Sequence, residues 1–370
     1  LKLDNQKYAI QAFKKAASID YNWRLKEDAY FNYAKLSYEL ILPFDNTLNV
    51  LNAYSEIFNK TLYYKKEIET LFVQVLQGSS KYYDAYTALK EIVSPNKDQK
   101  FAMQNISYFL GVQAYNAKEY KKAVDYFISS NLYPINTDLY YMSSYWMADA
   151  YYQQEDFLNA ISIHGKIEFM QTKNMQYHSA LQKYNFAYCY FQKGDYGLAN
   201  KYFRIYESLA TDSVYLHDSY LRIADGCFMS NDYSLAEKYY EKAIEYNLFD
   251  IDYAIYNRSI ALGLLQENDE KVSLLKKLVK EYGSSVYYDD AMYNLASYYK
   301  DIANQKEALK YYDQVILCSG EHNLLAGSRL GKGVLYLNNN EYENALEQFI
   351  YVTDNYSNTQ YFREAMAGIE

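Results

Sequence analysis

Residues that break helices or staple loops are scarce here: 370 residues hold 3 prolines, 13 glycines and 3 cysteines. So few turn formers exclude a β-sandwich or barrel, whose many short strands need frequent turns. An odd, scattered set of cysteines gives no disulfide framework. Cys189 and Cys227 stand one period apart in near-equivalent places, beyond bridging distance, and are expected to be buried free thiols. No Pro-, Gly- or Ser-rich stretch divides the chain, so one continuous array is expected across residues 1–370. No apolar run reaches the roughly 18 residues of a membrane span. Positive charge is in deficit: the net charge is -9 and the pI about 5.2, a field that repels phosphate and argues against nucleic acid as a partner.

Catalytic signatures are missing as well. There is no GxSxG, GxxxxGK[ST] or GxGxxG motif. The histidines, His164, His178, His217 and His322, are dispersed, and no pair has the i, i+4 spacing of a helical metal site. Cys318, Glu321 and His322 are close in sequence but offer no fourth ligand. The pair Asp289 and Asp290 falls where a helix should start, where carboxylates complement the helix dipole without acid–base work. No cofactor, no metal and no enzymatic activity are expected. The chain begins at Leu1 without a basic-then-apolar leader, so no compartment can be read from a signal peptide.

What the sequence has in plenty is periodicity. A small residue recurs every 35 to 39 positions at Ala9, Thr47, Ala85, Ala123, Ala160, Ala199, Ala236, Lys271, Ala308 and Ala345. Four residues after each comes a bulky one: Phe13, Leu51, Leu89, Phe127, His164, Phe203, Tyr240, Leu275, Tyr312 and Phe349. That offset puts both on one helical face. About twelve residues earlier runs a second small column, Ala34, Val73, Gly111, Ala148, Ala187, Ala224, Ser259, Ala296 and Gly333. Small residues in both helices allow close axial approach. The intervening polar turns, such as NAKEY, QQEDF and QKGDY, are short enough to make each repeat an antiparallel helical hairpin. Their closing aromatics, Tyr120, Phe157, Tyr196, Tyr233 and Tyr342, should plug the corners. Lys271 is the outlier, placing a charge in the small column.

Segments such as YNFAYCYFQKGDYGLANKYF and LGKGVLYLNNNEYENALEQF resemble the tetratricopeptide repeat family across essentially the whole chain. The resemblance implies an all-α fold, an α-solenoid of about nine to ten antiparallel helix pairs in a right-handed superhelix. The expected repeats are 1–25 (partial), 26–62, 63–98, 99–137, 138–174, 175–213, 214–250, 251–285, 286–322, 323–358 and 359–370 (partial). The ragged ends lead to the expectation of a fragment of a longer array. KEYGSSVYYDDAMYNLASYY and DNYSNTQYFREAMAGI are similar to the long repeat proteins and lipoproteins of the Bacteroidota cell envelope, which implies a periplasmic, outer-membrane-associated setting, with the cytoplasm as the alternative.

Tyrosine is the most over-represented residue, at 49 of 370. Some tyrosines fall on faces that packing requires; others lie three before or four after the small column of the first helix. The resemblance places this second stripe in the concave groove. It implies a candidate partner-binding band of Tyr108, Tyr115, Tyr145, Asp149, Tyr152, Tyr184, Tyr188 and Phe191, with Asp149 and Asp225 as acceptors on the same face. Tyrosine suits a peptide or helix groove through its large rigid ring and polar tip. The competing reading buries these rings between neighbouring repeats. The expected function is a non-enzymatic scaffold that holds protein partners, possible envelope-complex subunit included. The alternatives are a glycan-binding protein of a carbohydrate-uptake system or the regulatory repeat region of a larger protein.

Overall fold

The computed structural model describes residues 6–19, 22–40, 47–58, 63–64, 67–68, 71, 82–83, 86–87, 89–90, 93–95, 97–170, 176–210 and 212–370. The repeat positions Thr70, Val73, Gln77 and Ala85 lie outside them. Among the described residues all regular structure is helical. The chain divides into two compact units, Leu1–Gly194 and Asp195–Glu370.

The first unit contains α1 (Gln6–Ala17), α2 (Trp23–Leu40), α3 (Thr47–Ile57), α4 (Lys97–Asn116), α5 (Tyr120–Asn131), α6 (Thr137–Tyr152), α7 (Phe157–Ile167) and α8 (Gln176–Gln192). The second contains α9 (Tyr196–Leu209), α10 (Ser213–Met229), α11 (Tyr233–Tyr246), α12 (Ile251–Leu264), α13 (Asn268–Glu281), α14 (Tyr288–Asp301), α15 (Gln305–Cys318), α16 (His322–Asn338), α17 (Tyr342–Asn355) and α18 (Phe362–Ile369). Within each unit, helices joined by a described turn pack on each other. The first helices of successive pairs also touch: α4 meets α6 and α6 meets α8 in one unit, and α14 meets α16 and α16 meets α18 in the other.

One turn design recurs between the two helices of a pair. Lys118, Glu155, Asn231, Gln266, Ala303 and Asn340 are all left-handed, with φ between 57° and 66°, and Gly194 has φ 81°. The amide after each of the six non-glycine residues reaches back five residues, as in Asp232 to the Cys227 carbonyl and Asn304 to the Tyr299 carbonyl (2.9 and 2.8 Å). This satisfies carbonyls that a helix end leaves free. The same residue then caps the next helix: Asp156, Asp195, Asp232 and Asn304 each accept a backbone N–H from three residues on. In these four turns a C-cap is thus fused to an N-cap, whereas Glu119, Glu267 and Glu341 give no side-chain cap to the helices that follow them.

The small columns hold the helix pairs together. Ala123, Ala148, Ala160 and Ala187 in the first unit, and Ala199, Ala224, Ala236, Ala296 and Ala308 in the second, are fully buried. A side chain on Gly111 would begin 2.6 Å from the Phe127 ring, and one on Gly333 would begin 2.4 Å from Phe349, so only glycine admits those rings. Phe127, Phe203, Tyr240, Tyr312 and Phe349 of the bulky column are at most 1% exposed. Truncating such a ring to alanine costs about 3–5 kcal/mol. Three of the turn aromatics plug the corners as expected: Tyr120 packs on Tyr115, Phe157 on Tyr152 and Tyr233 on Phe228, with centroids 5.3–5.5 Å apart; Tyr342 does not, being 62% exposed with its hydroxyl turned to Asn340 of its own turn. Cys189 and Cys227 are buried free thiols, and Cys318 is exposed.

Candidate functional site

The tyrosine band lies on α4, α6 and α8 of the first unit. These helices are positioned by polar clasps at their ends. The side chain of Asn136 caps α6 by accepting from the amides of Asp138 and Leu139. Gln104, buried in α4, grips the backbone of Asn136 from both sides: its amide donates to the Asn136 carbonyl and its oxygen accepts the Asn136 N–H, at 2.9 and 2.8 Å. One buried glutamine therefore sets the entry of α6 against α4.

The eight candidate residues separate into two groups. Tyr108 and Tyr145 are 2% and 4% exposed and belong to the core around Phe127, Trp146 and Ile167. They present no surface to a partner, which corrects their expected place on the groove. Flanking helices on both sides of α6 close over the position three before the small column. Tyr115, Asp149, Tyr152, Tyr184, Tyr188 and Phe191 are half-buried, with part of each side chain open to solvent.

The tyrosine tips are tethered from one first helix to the next. Tyr115 on α4 donates its hydroxyl to the Asp149 carboxylate on α6. Asn185 on α8 donates to the Tyr145 oxygen on α6 at 2.9 Å, and Gln192 reaches the Tyr152 oxygen at 3.5 Å. Tyr145 and Tyr115 both flank Trp146, with centroids 5.0 and 5.5 Å away. On α8, Tyr184, Tyr188 and Phe191 follow one another at 5.0 and 6.4 Å. Burial pushes the Asp149 carboxyl above its ordinary range, against the opposing hydrogen bonds from Tyr115 and Gln153. Burial and then the Asp149 charge hold the Tyr115 hydroxyl far above the usual tyrosine value, so it stays a donor.

Asp225, the second expected acceptor, lies in the second unit and is similarly engaged. It accepts hydroxyls from Tyr240 (2.8 Å) and Tyr253 (2.6 Å) and a guanidinium N–H from Arg222 (2.6 Å). Both aspartates thus serve neighbouring helices rather than standing as open acceptors. Sequence reasoning missed the tethering amides and the Trp146 platform. A signal was present for the amides: Asn294 also reaches the hydroxyl of a tyrosine one repeat back, Tyr256, at 3.4 Å. Both asparagines stand two residues before the small column. Among the described residues no group of three His, Cys, Asp or Glu side chains could hold a metal, and none of the helices is long and apolar enough to cross a membrane.

The model of the family described as "Tetratricopeptide repeat" matches residues 217–249, which span most of α10 and all of α11, and residues 289–317, which span nearly all of α14 and α15. These two segments are tetratricopeptide repeats. A solved structure with the same fold is the C-terminal part of a tetratricopeptide repeat-containing protein from Cytophaga hutchinsonii, at 16% identity and TM-score 0.55, covering 70% of this chain and 98% of that one. Looser matches are the apo form of the quorum sensor NprR from B. thuringiensis (16% identity, TM-score 0.41, 95% and 98% covered) and the apo form of RapI (16%, 0.46, 75% and 87%). No curated protein sequence matches the chain. The side-by-side contact of successive first helices accounts for the tethered tyrosines.

Proposed function

We propose that this chain is a non-enzymatic scaffold that receives an extended peptide or a helix of a partner protein along Tyr115, Tyr152, Tyr184, Tyr188 and Phe191. The observation that carries this reading is the row of half-exposed rings, two of which, Tyr115 and Tyr152, have tethered tips. A ring already fixed by its hydroxyl loses little further freedom when a partner covers it. Aromatic side chains are also the residues on which interfaces concentrate their energy. The proposal extends to the setting suggested by the envelope repeat proteins: a periplasmic, outer-membrane-associated assembly or export complex. Cell fractionation checks that part by itself.

The binding surface is tested by replacing Tyr152 and Tyr188 together with Ala and comparing capture of partner proteins by quantitative mass spectrometry. The expected result is loss of at least one partner by roughly ten-fold or more with the helical circular dichroism spectrum kept. Undiminished capture of every partner contradicts the proposal.

A further inference from the structure

Tyrosines of the second unit are treated in two opposite ways. On one set of rings the chain places its own cations: Lys242 lies over Tyr239 at 4.4 Å, Lys310 over Tyr311 at 5.0 Å and Arg329 over Tyr351 at 3.6 Å. Lys201, Lys276 and Lys332 do the same for Tyr202, Tyr299 and Tyr336. Tyr253, Tyr256 and Tyr287 are a cluster among the described tyrosines over which no such cation lies. Tyr256 and Tyr287 stack with centroids 5.0 Å apart and planes 17° apart, and Tyr253 leans on Tyr287 at 5.8 Å. All three are half-buried. Among the described residues none of the chain's Lys or Arg side chains lies over any of them.

Around Tyr256 and Tyr287 the field is negative, while at Tyr253 the Asp225 charge is opposed by Arg222. The Tyr287 hydroxyl is pushed up by burial and then by Asp252, Asp250, Asp225 and Asp290. Tyr256 is raised to about 12 by burial and then by Asp290. Asp290 is itself raised by burial and by its neighbours Glu321 and Asp289. Arg222 is engaged by Asp218 and Asp225, at 3.4 and 2.6 Å. Ring faces and nearby carboxylates both attract a cation, and an arginine or lysine brought to such a surface gains more as it is desolvated.

The geometry points to a docking site on Tyr253, Tyr256 and Tyr287, rimmed by Asp252 and Asp290, for an arginine- or lysine-bearing segment of a partner protein. It shares with the proposed function only the premise that the occupant is a protein. The surface lies on the second unit, so its failure and that of the band in the first unit are distinguishable.

The test uses the full chain and three fluorescein-labelled short peptides of Gly-Ser-Arg, Gly-Ser-citrulline and Gly-Ser-Glu repeats, followed by fluorescence anisotropy. Citrulline keeps the shape of arginine without its charge. The arginine peptide is expected to bind roughly ten-fold tighter than either control. Tyr287→Leu, which leaves every charge in place, should weaken it several-fold. Tyr287→Phe and Tyr239→Leu should not, since the first keeps the ring and the second lies in the set already served by the chain's own cations. Asp290→Asn should weaken binding as well, which guards against misfolding of the leucine variant. Absent binding, equal binding of the citrulline peptide, or arginine binding unchanged by both Tyr287→Leu and Asp290→Asn overturns the inference.

Discussion

The ammonium nitrogen of Lys271 lies 3.2 Å from where a side chain on Gly263 would begin. The two residues are exchanged together against the other repeats. Where Gly263 stands, earlier repeats carry Tyr115, Tyr152 and Phe228, each packed on a turn aromatic; where Lys271 stands, they carry alanine. The charge in the small column is therefore accommodated by a missing ring. Lys271 runs its stem through that gap, half-buried, and burial lowers its pKa against the pull of Asp301.

This pairing predicts non-additive mutants. Gly263→Phe alone should destabilise by about 1–3 kcal/mol through overpacking against the lysine stem. Adding Lys271→Ala should restore most of the loss, with a coupling of roughly 1 kcal/mol or more in urea unfolding. Additive effects would show that the two positions do not share one space.

His164 makes the first unit acid-sensitive. It occupies the bulky column where Phe127 and Phe203 stand in other repeats, and is 1% exposed. Burial, assisted by the nearby Lys183 charge, lowers its pKa from 6.5 to about 3. A depressed histidine pKa means that the unfolded chain binds the extra proton first. The contribution is fully present above about pH 6.5 and is lost as pH falls toward about 3. Asp149 acts in the opposite sense, because its raised pKa favours the folded state in acid. His164→Phe isolates the histidine: the difference between its urea midpoints at neutral and acid pH should be smaller than the wild-type difference. Identical pH dependence of the two proteins would refute the assignment.

The repeated left-handed turn predicts opposite outcomes for two single changes. Ala303 adopts φ 57° and Gly194 adopts φ 81°. A non-glycine residue in that region costs about 1–2 kcal/mol. Ala303→Gly should raise the melting temperature and Gly194→Ala should lower it, each by an effect of about 1 kcal/mol or less after the unfolded-state entropy is counted.

Tyr145 and Tyr152 differ in kind although both were legible as one stripe. Tyr145→Ala should cost about 3–5 kcal/mol of stability as a core truncation, whereas Tyr152→Ala should cost far less and act on partner binding. Thermal melts of the two variants distinguish these outcomes directly.

How far the sequence could be read follows from what periodicity encodes. The helix pairs, the buried alanine columns and the positions of the polar turns were all legible, because close helix approach demands small residues at fixed spacing. Gly111 and Gly333 belong to the same column for the same reason. The split of the tyrosine band was not legible. Spacing places Tyr108 and Tyr145 on the same face as Tyr115 and Tyr152, but only packing of adjacent first helices decides which rings are covered. Nor does the pattern reveal that Tyr115 meets Asp149, since the partner lies about one repeat away on another helix.

The central claim, that half-exposed rings on α4, α6 and α8 receive a protein, is tested most directly by placing a photo-crosslinking benzoylphenylalanine at residue 152, 188 or 158 in living cells. Leu158 is 65% exposed and outside the band. Crosslinks to a common partner from positions 152 and 188, but not from 158, are the predicted result. Partner crosslinks from 158 with none from 152 or 188 would contradict it.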